Sequence, residues 1–241
     1  MSLKAIFFDI DDTLFSTTDF ADRARRGAVD GMRRCGLRLP ADHILRELTE
    51  VIAEFSSNYE HHYEKLLLRL PEEAQGLNPA ILVAAAVVAY HETKSKELAP
   101  FPDVAAAFPR LAKAGLTLGI ITSGLTVKQA EKLVRLGLLA HLAPNGIFIS
   151  EQLGISKPNP KLWQWACRTM KLKPIDCAYV GDHPVHDVEP VKKLGMKAIL
   201  NRRGVGKYES VPARVAPDHE IRSFDGLIAI LRKDYGVRVP E

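Results

Sequence analysis

Hydrophobic positions change rhythm twice along this chain. Residues 4–9 (KAIFFD) form a short, nearly continuous apolar run that ends in an acid, the pattern of a strand buried on both faces. From about residue 17 to residue 96 no strand-like run occurs. The apolar positions there follow a helical period, cut by Gly36 and Pro40, by Pro71 and by Gly76 to Pro79. After Pro100 and Pro102 the rhythm becomes alternating. Helices are predicted over 104–114, 126–136, 160–170, 185–194 and 224–235. Strands are predicted over 117–122, 146–150, 177–181 and 197–200, with a short piece at 219–221.

Strands alternating with helices imply right-handed βαβ units, hence an α/β protein with a parallel sheet covered on both faces. The first strand joins such a sheet only if the helical stretch is an insertion. Residues 1–16 and 97–241 are therefore expected to form a Rossmann-like core, and 17–96 an inserted α-helical domain of about four helices. The apolar run 80–90 is too short for a membrane span and is expected to be a buried helix.

Composition narrows the classes further. Cys35, Cys167 and Cys177 are odd in number and form no Cys-x-x-Cys pair, which argues against a disulfide framework or a structural zinc site. With no signal-peptide pattern at the start, a cytoplasmic location is expected. Lys and Arg are dispersed, and a net charge of +4 suits an anionic small molecule better than a nucleic acid or a membrane. Whether the chain is a monomer or a homodimer is not readable.

In open parallel sheets the binding crevice lies beyond the carboxyl ends of the strands. The polar residues there are Asp9 and Asp11 after the first strand, and Thr122, Ser123 and Gly124 after the second. Lys157 follows the third, held between prolines in KPNP, and Asp182 and Asp187 follow the fourth in GDHPVHD. Each group has a plain alternative: a helix cap, a turn or a surface lysine. Two carboxylates held close need a cation or a proton, and Mg²⁺ takes oxygen ligands. One carboxylate can then serve as nucleophile and the other as proton carrier. A hydroxyl and a glycine before a helix can cradle phosphate. His183 and His186 are read as spectators, because the carboxylates already make a hard-cation site.

These motifs resemble those of the haloacid dehalogenase (HAD) superfamily. DIDDT matches its first motif, Thr122 its second, Lys157 its third and GDHPVHD its fourth. A helical insertion between the first two resembles the C1-cap subgroup that includes phosphoglycolate-phosphatase-like proteins. The resemblance implies a phosphatase acting on a small phosphorylated metabolite. Asp9 would form an aspartyl-phosphate, and Asp11 would serve as general acid and base. Thr122, Ser123, Gly124 and Lys157 would bind phosphate. Mg²⁺ would be held by Asp9, the Asp11 carbonyl, Asp182 and Asp187, the last directly or through water. Ser123 stands where relatives often carry Asn or Asp.

A hexose-phosphate mutase and a 2-haloacid dehalogenase remain alternatives, as does a phosphorylated receiver module. The acid pair at 182 and 187 argues against the dehalogenase, and the large insertion against the receiver. In the insertion, Asn58, Tyr59, His61, His62 and Tyr63 form a polar-aromatic cluster that either contacts the leaving group or packs a helix junction.

Overall fold

A computed structural model describes residues 3–204 and 206–241. Six parallel strands form one sheet in the order β3-β2-β1-β4-β5-β6. They are β1 (Ala5–Phe8), β2 (Thr117–Thr122), β3 (Ile147–Ile149), β4 (Cys177–Gly181), β5 (Lys197–Asn201) and β6 (His219–Ile221). The short piece at 219–221 is thus an edge strand. β1 lies between β2 and β4, with Phe8 in register with Ile120 and Val180. The Asp9 N–H donates to the Val180 carbonyl at 2.9 Å. That bond carries the ladder one residue past the strand and fixes where the first acid leaves the sheet.

Strand side chains alternate between two cores. On one face Phe7, Ile121, Phe148, Tyr179 and Leu200 pack with Leu162, Trp163 and Val191. On the other, Phe8 stacks with Phe224 at 5.6 Å and lies 4.9 Å from Phe108. Burial of each such ring contributes about 1.5–3 kcal/mol. The Phe108 and Phe224 rings come from helices flanking the sheet. In this unit, helices and strands alternate much as the hydrophobic rhythm predicts.

The chain divides into two compact units, one of Met1–Thr18 with Ala99–Glu241, the other Asp19–Leu98. The second contains most of α1 (Thr17–Arg34) and all of α2 (Ala41–Phe55), α3 (His62–Leu67), α4 (Glu72–Gln75) and α5 (Pro79–Glu97). There are thus five helical segments in this stretch, two of them a turn or so long, where the breakers suggested about four. Met32, Ile44, Leu48, Leu66, Leu82 and Ala86 form its own core. A glycine in α1 lets α5 approach closely: a Cβ on Gly31 would lie 2.7 Å from the Ala85 carbonyl and 2.9 Å from the Ala89 Cβ. Buried Gln75 donates to the carbonyls of Leu67 and Leu70, closing the end of α3.

The run at 80–90 differs from its reading as a buried helix. Leu82, Ala86 and Ala89 are buried, but Ile81 and Val88 are more than half exposed. Within its unit α5 packs on one face only, so an apolar stretch longer than one stripe leaves part of itself uncovered. Among the described residues no helix is long and apolar enough to cross a membrane.

Candidate active site

β1 and β4 are neighbours, so the acids that follow them arrive side by side. Asp9, Asp182 and Asp187 each place a carboxylate oxygen within 4.8 Å of the others. Asp9 and Asp187 are buried and Asp182 is half-buried. Lys157 reaches in from the segment after α8 (Ser150–Leu153), with α6 (Pro102–Lys113) and α7 (Thr126–Leu136) preceding it in the chain. Its ammonium lies 2.9 Å from Asp9 Oδ1 and 2.9 Å from Asp187 Oδ1. Beneath it, Tyr179 donates its hydroxyl proton to the Ile121 carbonyl at 2.8 Å.

Three carboxylates gather beside one ammonium, which pairs with Asp9 and Asp187, and the charge does not balance. Burial, then Asp187 and Asp9, push the Asp182 carboxyl up to about 9. Burial also raises Asp9, to about 6; Lys157 opposes this, and Asp187 and Asp11 add to it. For Lys157, burial disfavours the charge, but Asp187 and Asp9 outweigh it and raise its pKa, so the lysine stays an ammonium. The cluster offers only carboxylate oxygens and carries excess negative charge. Its donor set therefore fits a hard divalent cation such as Mg²⁺.

Asp11 turns to different company. Its carboxylate accepts from Lys132 at 2.6 Å, from the Thr17 hydroxyl at 2.6 Å and from Gln129 at 3.1 Å. Burial works against its charge, but Lys132, Thr17 and Gln129 together hold the carboxyl below the usual range. Asp12, which the motif places beside it, is structural. It accepts from the N–H and the hydroxyl of Thr18, capping the first turn of α1.

Thr122 is fully buried, and its Oγ1 accepts from Gln129 Nε2 at 2.7 Å, leaving its own proton to donate. Ser123 Oγ lies 3.3 Å from Ser156 Oγ. The Gly124 N–H donates to Ser150 Oγ at 3.0 Å, so it is already engaged. The shape of Gly124 matters more: at φ 144° a Cβ would press within 3.1 Å of Gln129.

Gln129 and Lys132 did not emerge from the motifs. Gln129 was findable in principle. It lies with Leu133 and Leu136 on the buried stripe of α7, where a polar residue needs partners. Lys132 had no comparable signal. His183 and His186 are outside the carboxylate cluster. His183 Nδ1 accepts from the N–H groups of Val185 and His186.

In the helical unit the aromatic cluster packs on itself. Tyr59 stacks on Phe55 at 4.9 Å and meets His61 and His62 edge-on at 5.6 Å each. His62 Nε2 lies 2.8 Å from the Ser56 carbonyl. Tyr63 packs against the unit's core, and its hydroxyl is raised by burial.

The family model for haloacid dehalogenase-like hydrolases matches residues 3–195. The chain is 41% identical over 236 residues to a glyceraldehyde 3-phosphate phosphatase of Methanopyrus kandleri, covering 96% of this chain and 98% of the relative. It is 36% identical over 234 residues to a protein of the same name from Pyrococcus furiosus, covering 97% and 95%. Among solved structures, a HAD phosphatase from Thermococcus onnurineus superposes with a TM-score of 0.65 at 24% identity, over 99% of this chain and 100% of that one. The chain belongs to the haloacid dehalogenase-like hydrolases, and within them it is a phosphatase.

Proposed function

We propose that this phosphatase hydrolyses the monoester of a small phosphorylated metabolite with Mg²⁺, through an aspartyl-phosphate on Asp9. The observation that carries this reading is the meeting of Asp9, Asp182 and Asp187 beyond the adjacent strands β1 and β4, with Lys157 paired to two of them. Asp9, Asp182 and Asp187 would hold the cation, with the Asp11 carbonyl as a fourth ligand. Bound there, Mg²⁺ would neutralise the carboxylates and the phosphoryl oxygens.

An Asp9 carboxylate oxygen attacks phosphorus, and the bond to the leaving oxygen breaks. Asp11, as a carboxylic acid in the substrate complex, gives that oxygen its proton. The Asp11 carboxylate then takes a proton from water. The resulting hydroxide attacks phosphorus, breaks the bond to Asp9 and releases phosphate. Lys157 and the Thr122 hydroxyl hold the phosphoryl oxygens, and Ser123 and Gly124 shape the loop beside them. Phosphoryl transfer needs chiefly this positioning and charge neutralisation.

Substrate choice is assigned to the helical domain at residues 17–96, with Tyr59 and His62 as first residues to vary. The name of the archaeal relatives makes glyceraldehyde 3-phosphate the first metabolite to try. The test is hydrolysis of p-nitrophenyl phosphate and of glyceraldehyde 3-phosphate with Mg²⁺ and with EDTA, in the wild type and in Asp9→Asn. Activity is expected only in the wild type with Mg²⁺. Full activity in EDTA or in the variant would overturn the reading.

A further inference from the structure

Asp187 reaches the carboxylate cluster from an irregular piece of backbone. It lies in a single π-helical turn over Pro184–Val188, which follows β4 and leads into α10 (Glu189–Lys193). A π turn has wider hydrogen-bond spacing than an α-helix, so the N–H groups at its start need partners from outside the turn. Here its opening is held by one side chain. His183 Nδ1 accepts from the Val185 N–H at 3.2 Å and from the His186 N–H at 3.1 Å. The His183 N–H in turn donates to Asp187 Oδ2 at 3.0 Å.

The imidazole cannot swing away easily. One face stacks on His186 with centroids 3.9 Å apart and planes 12° apart. Tyr208 lies 4.0 Å from it with planes 38° apart. Tyr208 is itself anchored. The Arg202 guanidinium gathers the carbonyls of Tyr208, Glu209 and Val211, which ties the backbone beside Tyr208 to Arg202.

We propose that His183 is a positioning residue for the divalent-cation site: clamped between His186 and Tyr208, its ring caps the turn that carries Asp187 and so fixes that carboxylate against Asp9 and Asp182. His183 touches neither the cation nor the substrate in this account. It acts through Asp187, as partners behind metal ligands do elsewhere, where their loss costs about 10- to 100-fold in metal affinity. The inference rests on the reading of the three carboxylates as the Mg²⁺ site.

The test titrates the full-length protein with MgCl₂ alone by calorimetry, with folding checked by circular dichroism. His183→Ala should weaken Mg²⁺ binding by about 10- to 100-fold. His183→Asn retains an oxygen that can accept from the same N–H groups, and should bind within about threefold of wild type. Tyr208→Ala removes one wall of the clamp and should weaken binding by about threefold or more, which decides the matter if His183→Ala does not fold. A merely structural role would lower the melting temperature and leave Mg²⁺ affinity alone. Wild-type affinity in folded His183→Ala or in Tyr208→Ala overturns the proposal, as does His183→Asn binding no better than His183→Ala. Asp182→Asn separates the two readings. If the wild type binds Mg²⁺, Asp182→Asn does not and His183→Ala is unaffected, only this inference fails. If the wild type does not bind, both fail.

Discussion

The Lys157 ammonium lies 2.9 Å from Asp9 Oδ1, with the lysine side chain only 6% exposed. A cation that the chain itself supplies thus opposes the rise that burial imposes on the proposed nucleophile, and the same cation touches Asp187. Lys157 therefore does two things: it balances the resting carboxylates, and it is in place to meet a phosphoryl oxygen.

Replacing Lys157 by Met should separate these roles. Removing a preorganised donor from a site where charge develops typically costs about 100- to 1,000-fold in kcat. All three carboxylates remain, so Mg²⁺ should still bind. Steady-state kinetics on p-nitrophenyl phosphate together with MgCl₂ calorimetry measures both. A variant with near-normal kcat would remove Lys157 from the mechanism.

The buried acids predict how stability depends on pH. Asp9 and Asp182 both titrate above the ordinary carboxylate value of 3.8, at about 6 and about 9, with burial as the first cause of each shift. Without metal, the folded protein then holds more protons than the unfolded chain from about pH 4 to about pH 9, so its stability falls as pH rises through that window. Mg²⁺ bound at the proposed site would replace those protons and remove the penalty. Melting curves in EDTA and in MgCl₂ should therefore separate as pH increases from about 6 to about 9, by about 2–4 °C for each kcal/mol. A gap that stays constant or narrows would contradict this assignment.

Lys132 holds Asp11 in the wrong protonation state for a proton donor. Burial favours the neutral acid, but Lys132, Thr17 and Gln129 keep the carboxyl below its usual range. The free enzyme thus carries Asp11 ionised at neutral pH, and kcat/KM should decline as pH rises above the Asp11 value. Lys132→Met removes the strongest opposing charge, so that declining limb should move to higher pH. Asp11→Asn should lose about 100- to 10,000-fold of the rate. The check is the pH profile of kcat/KM with p-nitrophenyl phosphate. An unmoved limb in Lys132→Met would show that Asp11 does not set it.

Much of the site was legible because strand ends are local features. Asp9, Thr122, Asp182 and Asp187 each follow an apolar run that reads as a strand on its own, and one sheet rule places them on a common edge. The same local patterning accounts for the β-α alternation. Less legible was whatever depends on which helix face turns inward. Gln129 carries no motif, yet it links Asp11 to Thr122. Asp12 lies inside the motif, yet it caps a helix.

Local sequence accounts for the α/β class, the run of helices after the first strand, the family and the acids that reach the cluster. Hydrophobic periodicity and motif spacing are properties of neighbouring residues, and they survive without coordinates. Which partners each acid keeps depends on the three-dimensional arrangement of distant segments. Asp9 and Asp11, two residues apart, face different lysines: Lys157, 148 positions beyond Asp9, and Lys132, 121 positions beyond Asp11. Parallel pairing of β1 with β2, and of β2 with β3, brings those distant segments to the same end of the sheet. Charge interactions fall off over a few ångströms, so which of the two acids is raised and which is held low depends on that pairing.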